Sequence, residues 1–183
     1  MDKYLSKRKI HTIVLERAMR YAAKTKNRDI LKYFSDHWQL LGLSYLNMVE
    51  ALAICDLESI VNTPVFPEWT LKAWYIIFGQ MGRQNKLHLL PTIYKKISNH
   101  RDNTYHKTRG KSIPITLYHK SLITENYDLI QWSIDKCFEL DRDTVIQNAE
   151  FLWGEAHRIG NSDISGKIGK ILTYESYERG SLS

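Results

Sequence analysis

The chain has 183 residues, enough for one substantial domain, and its net charge is +6 at neutral pH. Hydrophobic residues make up 43% of the sequence and charged residues 25%, which is ordinary globular usage and argues against intrinsic disorder. The sequence has no run of about 18 apolar residues and no signal-peptide pattern, so we expect neither a membrane span nor secretion. The positive charge permits an acidic partner, without choosing between a protein and a nucleic acid.

Two amphipathic helices joined by a very short turn are predicted near the amino terminus. The first has an apolar face at helical spacing, interrupted only by Arg17, and this face consists of Ile10, Ile13, Val14, Ala18, Tyr21 and Ala22. After a break at Thr25 to Asn27, the second helix is marked by Ile30, Leu31, Phe34 and Trp38. Because the connection is so short, the two helices are expected to lie antiparallel.

The same helix–turn–helix pattern recurs along the chain, and no strand alternation of useful length interrupts it. We therefore predict an all-α fold, a single domain of about five stacked antiparallel helix pairs. The units span approximately residues 10–38, 43–63, 69–97, 114–138 and 144–172. A basic loop over residues 98–113 is the longest insertion, and residues 173–183 form a tail that we expect to be frayed, since helical periodicity is lost there.

The turns of these units align with one another at a regular spacing. The aligned positions are Asp29, Glu58, His88, Asp128 and Asp163. They are separated by 29, 30, 40 and 35 residues, steps that straddle the ankyrin period of about 33 residues. An Asn or Asp at several turns is placed to cap the next helix by accepting a backbone N–H. Small residues seven positions earlier, at four of the five units, would let the two helices of a pair approach closely.

The segment from Ala22 to Phe34 resembles the helix–turn–helix half of an ankyrin repeat. The stretch from Thr116 to His119 is similar to the Thr-Pro-Leu-His opener of such repeats and keeps its first and last residues, whereas the turn glycine is present only at Gly160. The chain as a whole is similar in style to ankyrin-like proteins of large DNA viruses and phages. This resemblance implies a protein-binding role in the cytoplasm, with a host protein as the target that a viral factor inhibits or redirects.

The sequence offers little for catalytic or metal chemistry. It has no nucleotide-binding loop, no paired metal-ligand motif and no standard zinc spacing around His100 and His106. Cys55 and Cys137 each lie in an apolar helical pattern, where a thiol's pKa rises and its reactivity falls, so both are predicted to be reduced core thiols. We predict a protein without catalytic activity, cofactor or metal. Gly79 and Gly82 form a Gly-x-x-Gly pattern, which a close helix contact or a loosened turn explains better than a phosphate-binding loop.

Two interpretations of function remain open, and both involve binding. The basic segment from Lys95 to Lys111 supplies most of the candidate contact residues, which are Lys95, Lys96, Arg101, Tyr105, Lys107, Arg109 and Lys111. Such a segment suits an acidic protein surface; alternatively, the interleaved aromatic residues suit a nucleic-acid backbone or single strand, which would make the chain a nucleic-acid-binding accessory protein. Trp69, in a connection between helices, is predicted to be an exposed aromatic anchor, whereas Trp74 and Trp132 are predicted to lie in the core.

Overall fold

A computed structural model describes residues 2–62, 69–100 and 113–140 and most positions from 146 to 170, with side chains described from residue 11 onward. Every regular element in these ranges is a helix, which confirms the all-α class. None of the described helices is both long and apolar enough to cross a membrane. Residues 101–112 of the predicted basic loop and the whole predicted tail lie outside the described residues.

The helices, numbered here in chain order, follow the predicted order, although α1 begins at Asp2, eight residues before the predicted start of the first unit. They are α1 (Asp2–Lys24), α2 (Arg28–His37), α3 (Tyr45–Asn62), α4 (Leu71–Arg83), α5 (Leu90–Ser98), α6 (Ile113–Leu122), α7 (Tyr127–Phe138) and α8 (Ala149–Arg158). A short 3₁₀ helix at Leu87–Leu89 leads into α5. The predicted second pair is contained in α3, which Asp56 divides at the predicted turn because its backbone angles are not helical (φ −150°, ψ 80°).

Four of the five aligned turns contain a residue in the left-handed backbone conformation, and the exception is the second turn, at Asp56. Lys26, Asn85 and Glu125 have φ angles of 55°, 53° and 56°, and Gly160 has a φ of 73°. Such a residue ends a helix: after α1, the amide of Asn27 donates to the carbonyl of Ala22 over 2.9 Å, and that of Lys26 donates to Ala23 over 3.1 Å. A left-handed conformation costs a non-glycine residue about 1–2 kcal/mol. At three of these turns, a residue other than glycine adopts the left-handed conformation, although glycine would adopt it most easily.

Side chains at the turns cap the helices that follow, as the sequence predicted. The side chain of Asn27 accepts a hydrogen bond from the Ile30 amide over 3.1 Å, and that of Asn126 accepts one from the Leu129 amide over 3.0 Å. Asp56 does the same for the Ser59 amide over 3.2 Å and so restarts the helix after the interruption in α3. Each cap stabilises its helix by about 1 kcal/mol.

The core runs through successive helix pairs as three apolar clusters. The first lies between α1, α2 and the first half of α3, the second joins α3, α4 and α5 with parts of α6 and α7, and the third joins α6 and α7 with α8. The five residues seven positions before the aligned turn positions are all buried, with at most 2% of each exposed. They are Ala22, Ala51, Met81, Ser121 and Ala156.

Gly82 marks a close contact between helix pairs. A Cβ atom at this position would lie 2.5 Å from Cδ2 of Leu129 and 2.9 Å from Cβ of Thr124, so only glycine fits without movement. The turn after α6 and the start of α7 therefore sit directly against the end of α4. At Gly79, one turn earlier, a Cβ atom would meet nothing within 4 Å. The predicted close helix contact is confirmed at Gly82.

The predicted buried face of α1 is largely wrong. Leu15, Met19, Ala22 and Ala23 turn toward α2 and α3, whereas Ile13, Val14, Ala18 and Tyr21 are exposed. The helix has apolar residues on both sides, so periodicity alone could not select one. The orientation of α1 depends on tertiary contacts with residues distant in sequence. On the side that faces α3, Glu16 accepts a hydrogen bond from Asn47 over 2.8 Å. The side chain of Ile10 lies outside the described residues.

Candidate interaction surface

Trp69 is buried, so the prediction that it forms an exposed anchor is wrong. Only 7% of the residue is exposed, and its ring lies 6.0 Å from that of Trp74, which is buried as predicted. The backbone carbonyl of Trp69 also hydrogen-bonds Nε2 of His100 over 2.7 Å. A proline-rich connection next to a tryptophan looked like an accessible loop in the sequence. In the structure this tryptophan closes the core beside α4 instead.

Lys95 and Lys96 are exposed in the last turn of α5, where a positive charge is favoured by the helix dipole. The neighbouring Tyr94 packs edge-on against Trp132 with ring centres 5.2 Å apart. The Trp132 ring is partly buried and belongs to the rim of the core. The remaining predicted contact residues lie outside the described residues, namely Arg101, Tyr105, Lys107, Arg109 and Lys111.

Polar side chains join the turns of successive helix pairs along one edge of the molecule. Arg28 in the first turn pairs with Asp56 in the second over 2.6 Å, and Glu58 pairs with Lys86 in the third over 3.0 Å. Asn126 in the fourth turn donates to Oδ1 of Asn85 over 3.0 Å. The ion pairs are partly exposed, and such pairs stabilise a fold by at most about 1 kcal/mol each. Their effect is to fix the side-by-side order of the turns.

A second series of polar contacts joins the first helices of neighbouring pairs. The side chain of Gln84 at the end of α4 donates to the backbone carbonyl of Ala53 in α3 over 2.8 Å. One turn earlier, Gln80 donates to Oε1 of Glu50 over 3.3 Å. The contact of Asn47 with Glu16 does the same between α3 and α1. Because these groups are half-buried or buried, each contact positions one pair against the next.

Among the described residues, the first helix pair packs against a neighbouring pair on one side, and its other side exposes several apolar residues. At about 100° per residue, Val14, Ala18 and Tyr21 lie opposite Glu16, which contacts α3. By the same geometry, Ile30, Tyr33 and His37 of α2 lie opposite Arg28, which also contacts α3. We refer to these six residues as the end face. Val14 is 58% exposed, Tyr21 71% and Tyr33 55%.

Positive charges flank the end face on α1. Arg17 and Lys24 are exposed beside this face, whereas the acid of this helix whose side chain is described, Glu16, is turned toward Asn47. On α2 the Tyr33 ring stacks on His37 with centres 4.6 Å apart, which stiffens the surface. Sequence analysis missed this surface as a site. The available indication was the excess of apolar residues on both sides of a helix that begins the series.

The two thiols are unsuited to nucleophilic chemistry, as the sequence predicted. Cys137 is fully buried, and burial raises the pKa of its thiol to about 12. Burial also raises the pKa of the Cys55 thiol. The buried hydroxyl of Tyr118 makes no hydrogen bond to the described part of the chain, and burial raises its pKa as well. Among the described residues, no three His, Cys, Asp or Glu side chains are grouped as they would be to hold a metal ion.

No protein-family model, curated protein or solved structure matches the chain significantly. A function is therefore inferred from the surface residues of the chain itself.

Proposed function

We propose that the chain is a stack of ankyrin-like helix pairs that acts as a non-catalytic protein–protein interaction module. The observation that carries this proposal is the end face, where Val14 and Tyr21 of α1 and Ile30 and Tyr33 of α2 are exposed on the sides turned away from α3. Contiguous exposed apolar patches on soluble proteins mark interaction sites. The apolar end face is therefore suited to binding another protein.

Regular separation of the contacts between helix pairs supports the stacked arrangement. Glu16 and Asn47 are 31 residues apart, Glu50 and Gln80 are 30 apart, and Ala53 and Gln84 are 31 apart. In a stack of repeats each unit contacts its neighbour at equivalent positions, so contacts recur at about the repeat length. The shared left-handed turns and the caps that follow them also favour a single repeated unit.

The proposed target is a protein of the cell in which the chain acts. If the chain is a viral or phage factor, as its resemblance to ankyrin-like viral proteins implies, the target is a host protein that it inhibits or redirects in the cytoplasm. This part of the proposal rests on the style of the sequence. The net charge of +6 favours a target with an acidic surface.

Nucleic-acid binding is the second candidate function. It is favoured by the exposure of Lys95 and Lys96, where the predicted basic segment begins. The two candidates differ in their response to salt. Binding through about six phosphate contacts weakens roughly a thousandfold between about 50 and 200 mM salt. A protein held through apolar side chains should lose far less affinity over the same range.

Affinity capture with the tagged full-length chain tests the proposal. The lysate is treated with nuclease, captured material is washed at low and at moderate salt, and proteins and nucleic acids are quantified separately. We expect one protein recovered in a fixed ratio to the chain at both salt concentrations. A parallel capture omits the nuclease. If that capture recovers nucleic acid, and washing at moderate salt removes it, the proposal is overturned in favour of nucleic-acid binding. Recovery of no protein in a fixed ratio would also contradict it.

A further inference from the structure

We infer that the end face docks an acidic amphipathic helix of a partner protein. This inference rests on the proposed function as a protein-binding module and names the surface and the chemistry of the partner. Three observations carry it: an apolar stripe, a surplus of positive charge beside it, and the way in which the molecule covers the equivalent side of its own helices.

The apolar stripe has the dimensions of a helix-binding surface. Val14, Ala18 and Tyr21 are spaced i, i+4 and i+7, so they form one line along about two turns of α1, roughly 10 Å long. Ile30 and Tyr33 of α2 extend this line sideways, with 45% and 55% of each residue exposed. Peptide helices commonly dock through side chains at this same spacing.

The molecule already covers the opposite side of α1 with a helix. Met19 and Ala22 are buried against Met48 and Ala51 of α3, in the first apolar cluster. A helix of the partner would continue this series by one element at the end face. The occupant we propose is therefore of the same structural kind as the element that packs on the inner side.

The charged residues beside the end face favour one of its possible occupants over the others. Arg17, Arg20 and Lys24 are exposed along α1, while Glu16 is directed inward. On α2, the exposed Asp36 pairs with Lys32 over 3.2 Å, and the exposed Asp29 lies in the first turn, where the helix dipole favours a negative charge. The described exposed charges of α1 and α2 remain positive in sum, so two copies of this chain that met at this face would each bring a positive surplus. An acidic partner gains from the same arrangement.

The aliphatic part of the face favours a protein over a nucleic acid. Val14 and Ile30 offer neither hydrogen bonds to phosphates nor a ring on which a base could stack. The apolar side of an amphipathic helix matches these residues, and its acidic flank matches Arg17 and Lys24. Both halves of the surface are then used by one occupant.

Selection from a defined peptide library tests the inference. A phage-displayed library of helix-forming peptides with randomised surface positions is selected against the full-length chain. The experiment is repeated with two variants, Tyr21→Asp on the end face and Tyr127→Asp on α7. These make a matched pair, because both tyrosines are 71% exposed. Circular dichroism and urea unfolding establish that both variants are folded before they are compared.

The expected peptides carry apolar residues at i, i+4 and i+7 with Asp or Glu beside them. Their affinity should fall at least tenfold with Tyr21→Asp and less than twofold with Tyr127→Asp. A charge-reversed chain, Arg17→Glu with Lys24→Glu, should prefer the same peptides with Lys in place of Asp and Glu. That reversal distinguishes a charge-matched site from a merely sticky apolar patch.

Several results would overturn the inference. Selected peptides without acidic residues, no enrichment at all, or equal sensitivity to Tyr21→Asp and Tyr127→Asp would each do so. Dimers of the chain that Tyr21→Asp dissociates would assign the face to a second copy, and oligonucleotide binding lost in the same variant would assign it to a nucleic acid. If the Tyr21→Asp chain still captures the same cellular protein as the wild type, the end face is excluded while the proposed function stands.

Discussion

The side chain of Asn126 donates from Nδ2 to the backbone carbonyl of Gly82 over 3.1 Å, which joins the turn before α7 to the end of α4. The same Nδ2 group donates to Oδ1 of Asn85 over 3.0 Å, and Oδ1 of Asn126 caps α7 at the Leu129 amide. The side chain of Asn126 therefore caps the start of α7 and also attaches α7 to the preceding helix pair. The local turn and the stacking of pairs are coupled through this residue.

Replacing Asn126 with Asp should separate these two roles. Aspartate caps a helix about as well as asparagine, but a carboxylate cannot donate to Gly82 or Asn85. We expect Asn126→Asp to lower the free energy of unfolding by about 2 kcal/mol, because two hydrogen bonds are lost and the carbonyl of Gly82 faces a negative charge. Urea unfolding followed by circular dichroism measures the difference.

Asn27→Asp is the control for that substitution. Asn27 caps α2 in the same way, and within the described part of the chain its side chain bonds to no neighbouring pair. Its replacement should change stability by less than about 0.5 kcal/mol. Equal effects at both positions would mean that the bonds from Asn126 to the preceding pair do not contribute.

Gly82→Ala should destabilise the chain, and Gly79→Ala should not. The added methyl group at Gly82 would overlap Leu129 and Thr124, and overpacking of this kind costs about 1–3 kcal/mol. At Gly79 there is open space within the same helix, so alanine should stabilise by up to about 1 kcal/mol through its helix propensity. Thermal unfolding of the two variants provides the comparison. A destabilised Gly79→Ala chain, or a neutral Gly82→Ala chain, would contradict the described contact between pairs.

The helices and turns of this chain could be predicted from sequence because their causes are local. Capping by Asn27 and Asn126 and the apolar spacing of the helices depend on neighbours a few residues away. The orientation of α1 could not be predicted, since Ile13 and Val14 on one side compete with Leu15 and Met19 on the other. A contact 31 residues away, between Glu16 and Asn47, accompanies the choice. Trp69 was misjudged for the same reason, because its burial depends on α4 and His100.

Trp69→Ala is expected to affect folding before it affects binding. Removing a buried tryptophan from a core costs about 3–5 kcal/mol. Trp153, which is 41% exposed on α8, gives the matched control, and Trp153→Ala should cost about 1 kcal/mol or less. The two free energies of unfolding can be compared directly by urea titration. A Trp69→Ala chain as stable as the wild type would contradict the burial of Trp69 in the core.

The buried thiol of Cys137 should make the fold sensitive to alkaline pH. Its pKa is raised from 9.0 to about 12 in the folded chain, so the unfolded chain ionises first. The stabilisation is present below pH 9 and is lost as the pH rises toward 12. At about pH 10, the wild type should have lost about 1 kcal/mol more stability than a Cys137→Ala variant, relative to neutral pH.

Urea unfolding at several pH values under reducing conditions checks this expectation. Both chains lose stability through their tyrosines as well, so the difference between them reports the thiol. Parallel stability curves for wild type and Cys137→Ala from pH 8 to about pH 10 would show that the thiol is not protected by burial.

Native mass spectrometry of the complex purified from nuclease-treated lysate at about 200 mM salt tests the central claim most directly, because that salt suppresses phosphate-mediated binding. The account predicts a single assembly of this chain with one other protein chain in a fixed ratio. The chain alone, multiples of its own mass, or a complex with nucleic acid would each contradict a protein-binding module.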